Sequence, residues 1–109
     1  MTDHPKRSLG GLHVSALGLG CMGMSEFYGA SEDATSLEVL ARARDLGIDF
    51  FDTADTYGIG HNEELIGRFI RERGKDFAVA TKFGIVRKRG GYARTINNAP
   101  SYVREARDA

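Results

Sequence analysis

A carboxylate, a phenol and an ammonium group stand at Asp52, Tyr57 and Lys82, each where an apolar run gives way to a loop or within that loop. Those three types together can deliver a proton. A phenol is a weak acid, with an unperturbed pKa of about 10. An adjacent ammonium favours the ionised phenol and so eases proton release, while a carboxylate can hold the ammonium in place. Singly, each has a plainer use: Asp as a turn former, Tyr as a packing residue, Lys as an exposed charge.

Other residues suggest chemistry more weakly. Gly18, Gly20 and Gly23 have the G-x-G-x-x-G spacing that brings a dinucleotide pyrophosphate to a helix N-terminus. In that arrangement the helix starts at once, whereas Met24 to Ala30 intervene here before any helix start. The first acidic residue near the next strand, Asp49, lies 26 residues past Gly23; a ribose-binding acid is expected about 20 residues on. The alternative is glycines that let a strand pack and turn. Arg87-Lys88-Arg89, ahead of Gly90-Gly91, reads either as a grip for phosphate or as a solvated loop. His4, His13 and His61 lack metal-ligand spacing, so no metal is expected.

Composition bounds the rest. With 109 residues, 41% apolar and 28% charged, the chain reads as one globular domain. Cys21 is the only cysteine, which excludes an intrachain disulfide and a cysteine zinc cluster and suits a reducing cytoplasm. No apolar run reaches the ~18 residues of a membrane span, and no signal-peptide core follows Met1. Fifteen basic and fifteen acidic residues cancel, removing a global case for nucleic acid. The cancellation conceals an asymmetry. Residues through Gly67 include four basic and eleven acidic side chains, a balance of −7, and the remainder balances it at +7.

The elements that must position the three groups repeat with a period. Residues 16–22, 48–52 and 77–82 are apolar runs bounded by turn residues and read as strands. A helix is expected from a Ser31 cap, with Leu37, Leu40, Ala41, Ala43 and Leu46 inward and Gly47 closing it. A second is expected from an Asn62 cap, with Leu65, Ile66, Phe69 and Ile70 inward and Gly74 closing it. Strand starts about 30 residues apart mark βα units of a parallel sheet. Before them, residues 8–14 read as a hairpin around Gly10-Gly11; after them, 83–100 reads as a loop, then a helix capped by Ser101 and cut at Ala109.

Phe50-Phe51-Asp52-Thr53-Ala54-Asp55-Thr56-Tyr57-Gly58, His61-Asn62-Glu63-Glu64-Leu65-Ile66-Gly67 and Ala80-Thr81-Lys82-Phe83-Gly84 resemble the aldo-keto reductase family, in the family's order. Leu17 to Met24 is similar to its first-strand motif, and Arg7-Ser8-Leu9 with Val14-Ser15 to its N-terminal hairpin. The resemblance implies an α/β fold, the N-terminal part of a (β/α)₈ TIM barrel: a hairpin plus about three βα units, the barrel not closed. Residues 1–109 would be a partial reductase domain truncated within the third barrel helix, from a family whose members run to roughly three times this length. It further implies NADPH-dependent reduction of an aldehyde or ketone, with Tyr57 as proton donor, Lys82 as its activator and Asp52 as the lysine's partner. Gly20, Cys21, Met22 and Asp52 would meet the cofactor. The family also draws a histidine from its fourth strand, which this sequence does not reach. Three strands leave edges unpaired. The isolated chain is therefore expected to be inactive, and to self-associate or need a complementing C-terminal chain; the alternative is a non-catalytic fragment acting as an interaction module.

Overall fold

The computed structural model describes residues 5–74, 76–88 and 93–109. Two short strands, β1 (Lys6–Leu9) and β2 (Leu12–Ser15), pair antiparallel with Lys6 opposite Ser15 and Leu9 opposite Leu12. Gly10 makes the turn in a left-handed conformation, φ 58°, which glycine adopts without steric cost. This is the expected hairpin.

Three βα units follow. Strand β3 (Leu19–Gly20) leads to helix α1 (Asp33–Asp45), β4 (Phe50–Asp52) to α2 (His61–Arg73), and β5 (Ala78–Ala80) to α3 (Pro100–Asp108). The strands form one parallel sheet in the order β3-β4-β5, and Gly20, Asp52 and Ala80 stand in register at its C-terminal end. The barrel is not closed: among the described residues, β3 and β5 each pair on one side only.

Sequence pattern explains the packing. Alternation in β4 sends Phe51, fully buried, toward the helices, where its ring stacks on Phe77 at 5.1 Å and meets Phe69 edge-on at 6.1 Å. Leu40 and Ala43 from α1, and Leu65 and Ile66 from α2, complete this core with Cys21 and Met24. Leu37 and Ala41 pack at its margin, as the expected arc of α1 requires.

Three expected caps are wrong. Helix α1 starts from Glu32; the Ser31 hydroxyl instead donates to the Met24 carbonyl at 2.8 Å. Helix α2 starts from Gly60, in a left-handed conformation with φ 90°, and Asn62 lies inside its first turn with a buried side chain. Helix α3 starts from Ala99 with Pro100 at its first position, where a missing N–H costs nothing, rather than from Ser101. The expected loop at 83–100 contains a second hairpin, β6 (Ile85–Arg87) against β7 (Arg94–Ile96), with Arg87 opposite Arg94. Arg89 and Gly90-Gly91, singled out in the sequence, lie outside the described residues. The dinucleotide glycine reading also fails: β3 is followed by a turn of helix at Met22–Met24 and a loop, and α1 begins only at Asp33. A side chain at Gly18 would stand 3.4 Å from the Phe50 carbonyl, so that glycine lies against β4.

Candidate active site

The sheet brings Asp52, Tyr57 and Lys82 to one rim. Backbone pairing continues past the strand ends, from Cys21 N–H to the Asp52 carbonyl, Thr53 N–H to that of Ala80, and Asp55 N–H to that of Lys82. The loops therefore leave the sheet in parallel. Lys82 Nζ donates to both oxygens of Asp52 at 2.9 Å and lies 5.1 Å from the centre of the Tyr57 ring. Burial alone pulls the Lys82 pKa down, but hydrogen bonds and charge from Asp52 and then Tyr57 outweigh it, and the pKa is raised. Lys82 stays an ammonium. All three side chains remain partly accessible, Asp52 and Lys82 by about half, so a ligand can reach them.

The residues after β3 divide in their accessibility. Gly20 has open space where a side chain would project, and Met22 is half-buried. Cys21 is fully buried; its thiol donates to the Leu19 carbonyl at 3.5 Å, and both its backbone groups are engaged. Burial first, then the Asp52 charge, pushes its pKa up to about 11, so it is an inert packing thiol. Gly20, Met22 and Asp52 are thus accessible at this end of the sheet, and Cys21 is buried.

Beneath the rim lies a polar junction that the sequence does not announce. Asn62, fully buried, accepts from Thr53 Oγ1 at 2.6 Å and donates to the Cys21 carbonyl at 2.7 Å and Ser25 Oγ at 2.8 Å. Ser25 Oγ lies 2.6 Å from His61 Nδ1, and His61 Nε2 lies 2.7 Å from Asp33 Oδ1. A carboxylate only accepts, so His61 Nε2 donates to Asp33. The loop after β3, the loop after β4, α1 and α2 are thus joined through hydrogen bonds.

A second tie crosses above. Arg87 makes two bonds to Glu26, at 2.9 and 2.8 Å, with the side chains only 7% and 10% exposed. The Arg87 hydrogen bond, ahead of an opposing desolvation, lowers the Glu26 pKa. Arg87 is therefore neither a free phosphate grip nor a solvated charge. Because β4 is central, a link from the loop after β3 to the hairpin after β5 passes over the end of β4. Neither tie has a sequence signal: Glu26 and Arg87 are 61 residues apart, and an Asn at a helix start reads first as a cap. A cavity of about 350 Å³ lies beside this rim, between Asp55, Glu63, Ile85, Tyr102 and Glu105. Desolvation, then Glu63, raises the Asp55 pKa there.

The profile of the aldo/keto reductase family matches residues 16–107. The aldo-keto reductase yakc of Schizosaccharomyces pombe, whose name specifies NADP(+), is 42% identical over 106 residues; these are 95% of this chain and 31% of that protein. The aldo-keto reductase AKR11C1 from Bacillus halodurans, solved in its holo form, superposes with a TM-score of 0.82 at 33% identity, over 94% of this chain and 34% of that one. The glycerol dehydrogenase AKR11B4 from Gluconobacter oxydans gives 0.74 at 28% identity, over 87% and 30%. The chain spans about a third of the length of these proteins.

Proposed function

This chain belongs to the aldo-keto reductase family, and we propose on that premise that it carries the proton-delivering part of an NADPH-dependent carbonyl reductase acting on aldehydes or ketones. The observation that supports the reading is the Lys82 ammonium, held by both oxygens of Asp52 and set against the Tyr57 ring. NADPH, when bound, supplies the hydride. Open space at Gly20, half-buried Met22 and the exposed carboxylate of Asp52 fit such a group at the sheet's C-terminal end, which is the functional end of a βα barrel.

Tyr57 donates the proton to the oxygen that becomes the alcohol. Lys82 stabilises the phenolate left behind, and Asp52 keeps that ammonium aimed while also meeting the cofactor's ribose. The test is NADPH consumption with an aromatic aldehyde, by the chain joined to the remaining strands of a family barrel. Tyr57→Phe should remove about 10²–10⁴-fold of turnover, the usual worth of general acid catalysis, with NADPH affinity nearly unchanged. Retention of more than about a tenth of turnover would mean that another group supplies the proton.

The single-sided pairing of β3 and β5 among the described residues, with Val79 42% exposed on β5, favours a second reading. In it residues 1–109 form a partial domain that binds another chain along a strand edge, either a copy of itself or a C-terminal complement. Sedimentation of the chain alone and with such a complement separates these two partners.

A further inference from the structure

The Tyr57 side chain rises from a loop, and loops ordinarily move more than the sheet beneath them. Here the loop is tied down directly behind the phenol. The Asn62 backbone N–H donates to the Tyr57 carbonyl at 3.2 Å, and the Tyr57 N–H donates to the Ala54 carbonyl at 3.2 Å. The Asn62 side chain joins that point to the end of β4 through Thr53, and to the end of β3 through Cys21 and Ser25. Thr53 adjoins Asp52 in sequence, and the Cys21 N–H itself binds the Asp52 carbonyl. Gly58, the residue after Tyr57, turns with φ 61°, and a side chain there would come within 2.9 Å of His61 Cβ and 3.0 Å of Ser25 Cβ. The tight turn and the junction therefore fix the direction in which the phenol leaves the backbone.

We propose that Asn62 is a positioning residue for the proton-delivering group, fixing Tyr57 against Lys82 by tying the Tyr57 carbonyl to the ends of β3 and β4. This deepens the reductase reading and rests on it for its consequence in catalysis. The chemistry of the side chain suits the task. Oδ1 must accept while Nδ2 donates twice, which aspartate cannot do and leucine cannot begin to do. A small displacement of a reacting group is costly: about 1 Å can reduce turnover by about 10²-fold.

Nuclear Overhauser contacts in the 109-residue chain test the placement without any cofactor. In the unaltered chain, Lys82 side-chain protons should contact the Tyr57 ring, and the Phe51 and Phe77 rings should contact each other. Asn62→Leu and Asn62→Asp should lose the Lys82–Tyr57 contact while keeping Phe51–Phe77. Thr53→Val, which removes one bond and little volume, should weaken the first contact alone and decides the matter if the Asn62 variants do not fold. A Lys82–Tyr57 contact at full strength in Asn62→Leu with its core intact would overturn the proposal. Simultaneous loss of both contacts in Thr53→Val would also overturn it, because Asn62 would then serve only the fold.

In the completed barrel, Asn62→Asp should lower kcat by about tenfold or more while KM for NADPH stays nearly unchanged, as for a group acting on the transition state alone. An unchanged kcat would count against the proposal. Absence of turnover in the unaltered completed protein would instead sink the reductase reading, with the cofactor-free contacts still deciding the placement by Asn62.

Discussion

Asp49 precedes β4 and Asp52 ends it, and each meets a lysine, yet the two ends of the strand are built for different work. At the N-terminal end, Asp49 Oδ1 accepts the Ser15 N–H at 2.7 Å, its other oxygen pairs with Lys6, and its own N–H donates to Ser15 Oγ at 3.1 Å. Its carboxylate is 22% exposed, and it docks the β1–β2 hairpin across that end of the sheet. At the C-terminal end, Asp52 gives both oxygens to Lys82 and is 51% exposed. One carboxylate is consumed by the fold. The other is held by one flexible partner in an accessible place, as the acid–base role proposed for this rim requires. The same residue types thus acquire separate roles through burial and through which backbone groups they satisfy.

Removing the lysine from the accessible end should produce the largest effect. Lys82→Met in the completed barrel should lose most of the 10²–10⁴-fold that proton transfer is typically worth (about that range), while its unfolding midpoint changes little. NADPH consumption and a thermal melt check both halves. At the opposite end, Asp49→Ala should instead destabilise the chain by about 1.5–3 kcal/mol, the usual worth of hydrogen bonds to a charged group, measured by urea unfolding.

Acid should weaken the structural end as well. Burial alone raises the Asp49 pKa, but the Lys6 hydrogen bond and the bonds to Ser15 outweigh it, leaving the pKa below its usual value of 3.8. The Glu26 pKa is likewise held below 4.5. A carboxylate with a lowered folded pKa stabilises the fold fully above its unfolded pKa and loses that contribution as pH falls through the folded one. Asp55, with its pKa raised, acts in the opposite sense and offsets part of the loss. Urea midpoints should therefore fall below about pH 4.5, and Asp49→Ala should flatten that fall.

The smallest effect is expected from Lys6→Met, about 0–1 kcal/mol as for other exposed ion pairs, because Ser15 keeps both its bonds to Asp49. An equal loss in Lys6→Met and Asp49→Ala would show that the ion pair, rather than Ser15, docks the hairpin.

The sheet and its rim were legible in sequence because three apolar runs bounded by turn residues recur at one period. Asp52 and Lys82 could be placed because each closes such a run, and Tyr57 because it stands five residues past Asp52 in the loop that follows. The second hairpin was not legible: Ile85–Arg87 and Arg94–Ile96 are three residues each, too short for alternation to register. Ser31 and Asn62 misled for one shared reason, whereas Ser101 is displaced as a cap because Pro100 takes the first helical position. Serine and asparagine are good caps, but the same oxygens and amides also satisfy distant backbone groups, and sequence does not say which. The Met24 carbonyl claims Ser31, and the Cys21 carbonyl claims Asn62.

The division of labour along β4 is tested most directly by Asp49→Ala and Asp52→Ala prepared in parallel in the completed barrel. Each would be measured for its urea midpoint and for NADPH turnover per folded molecule. Asp49→Ala is expected to lower the midpoint and keep turnover. Asp52→Ala is expected to keep the midpoint within about 1 kcal/mol of stability, as for an exposed pair, and to lose turnover together with NADPH affinity. Full turnover in Asp52→Ala, or a turnover loss in folded Asp49→Ala as large as that in Asp52→Ala, would contradict the account.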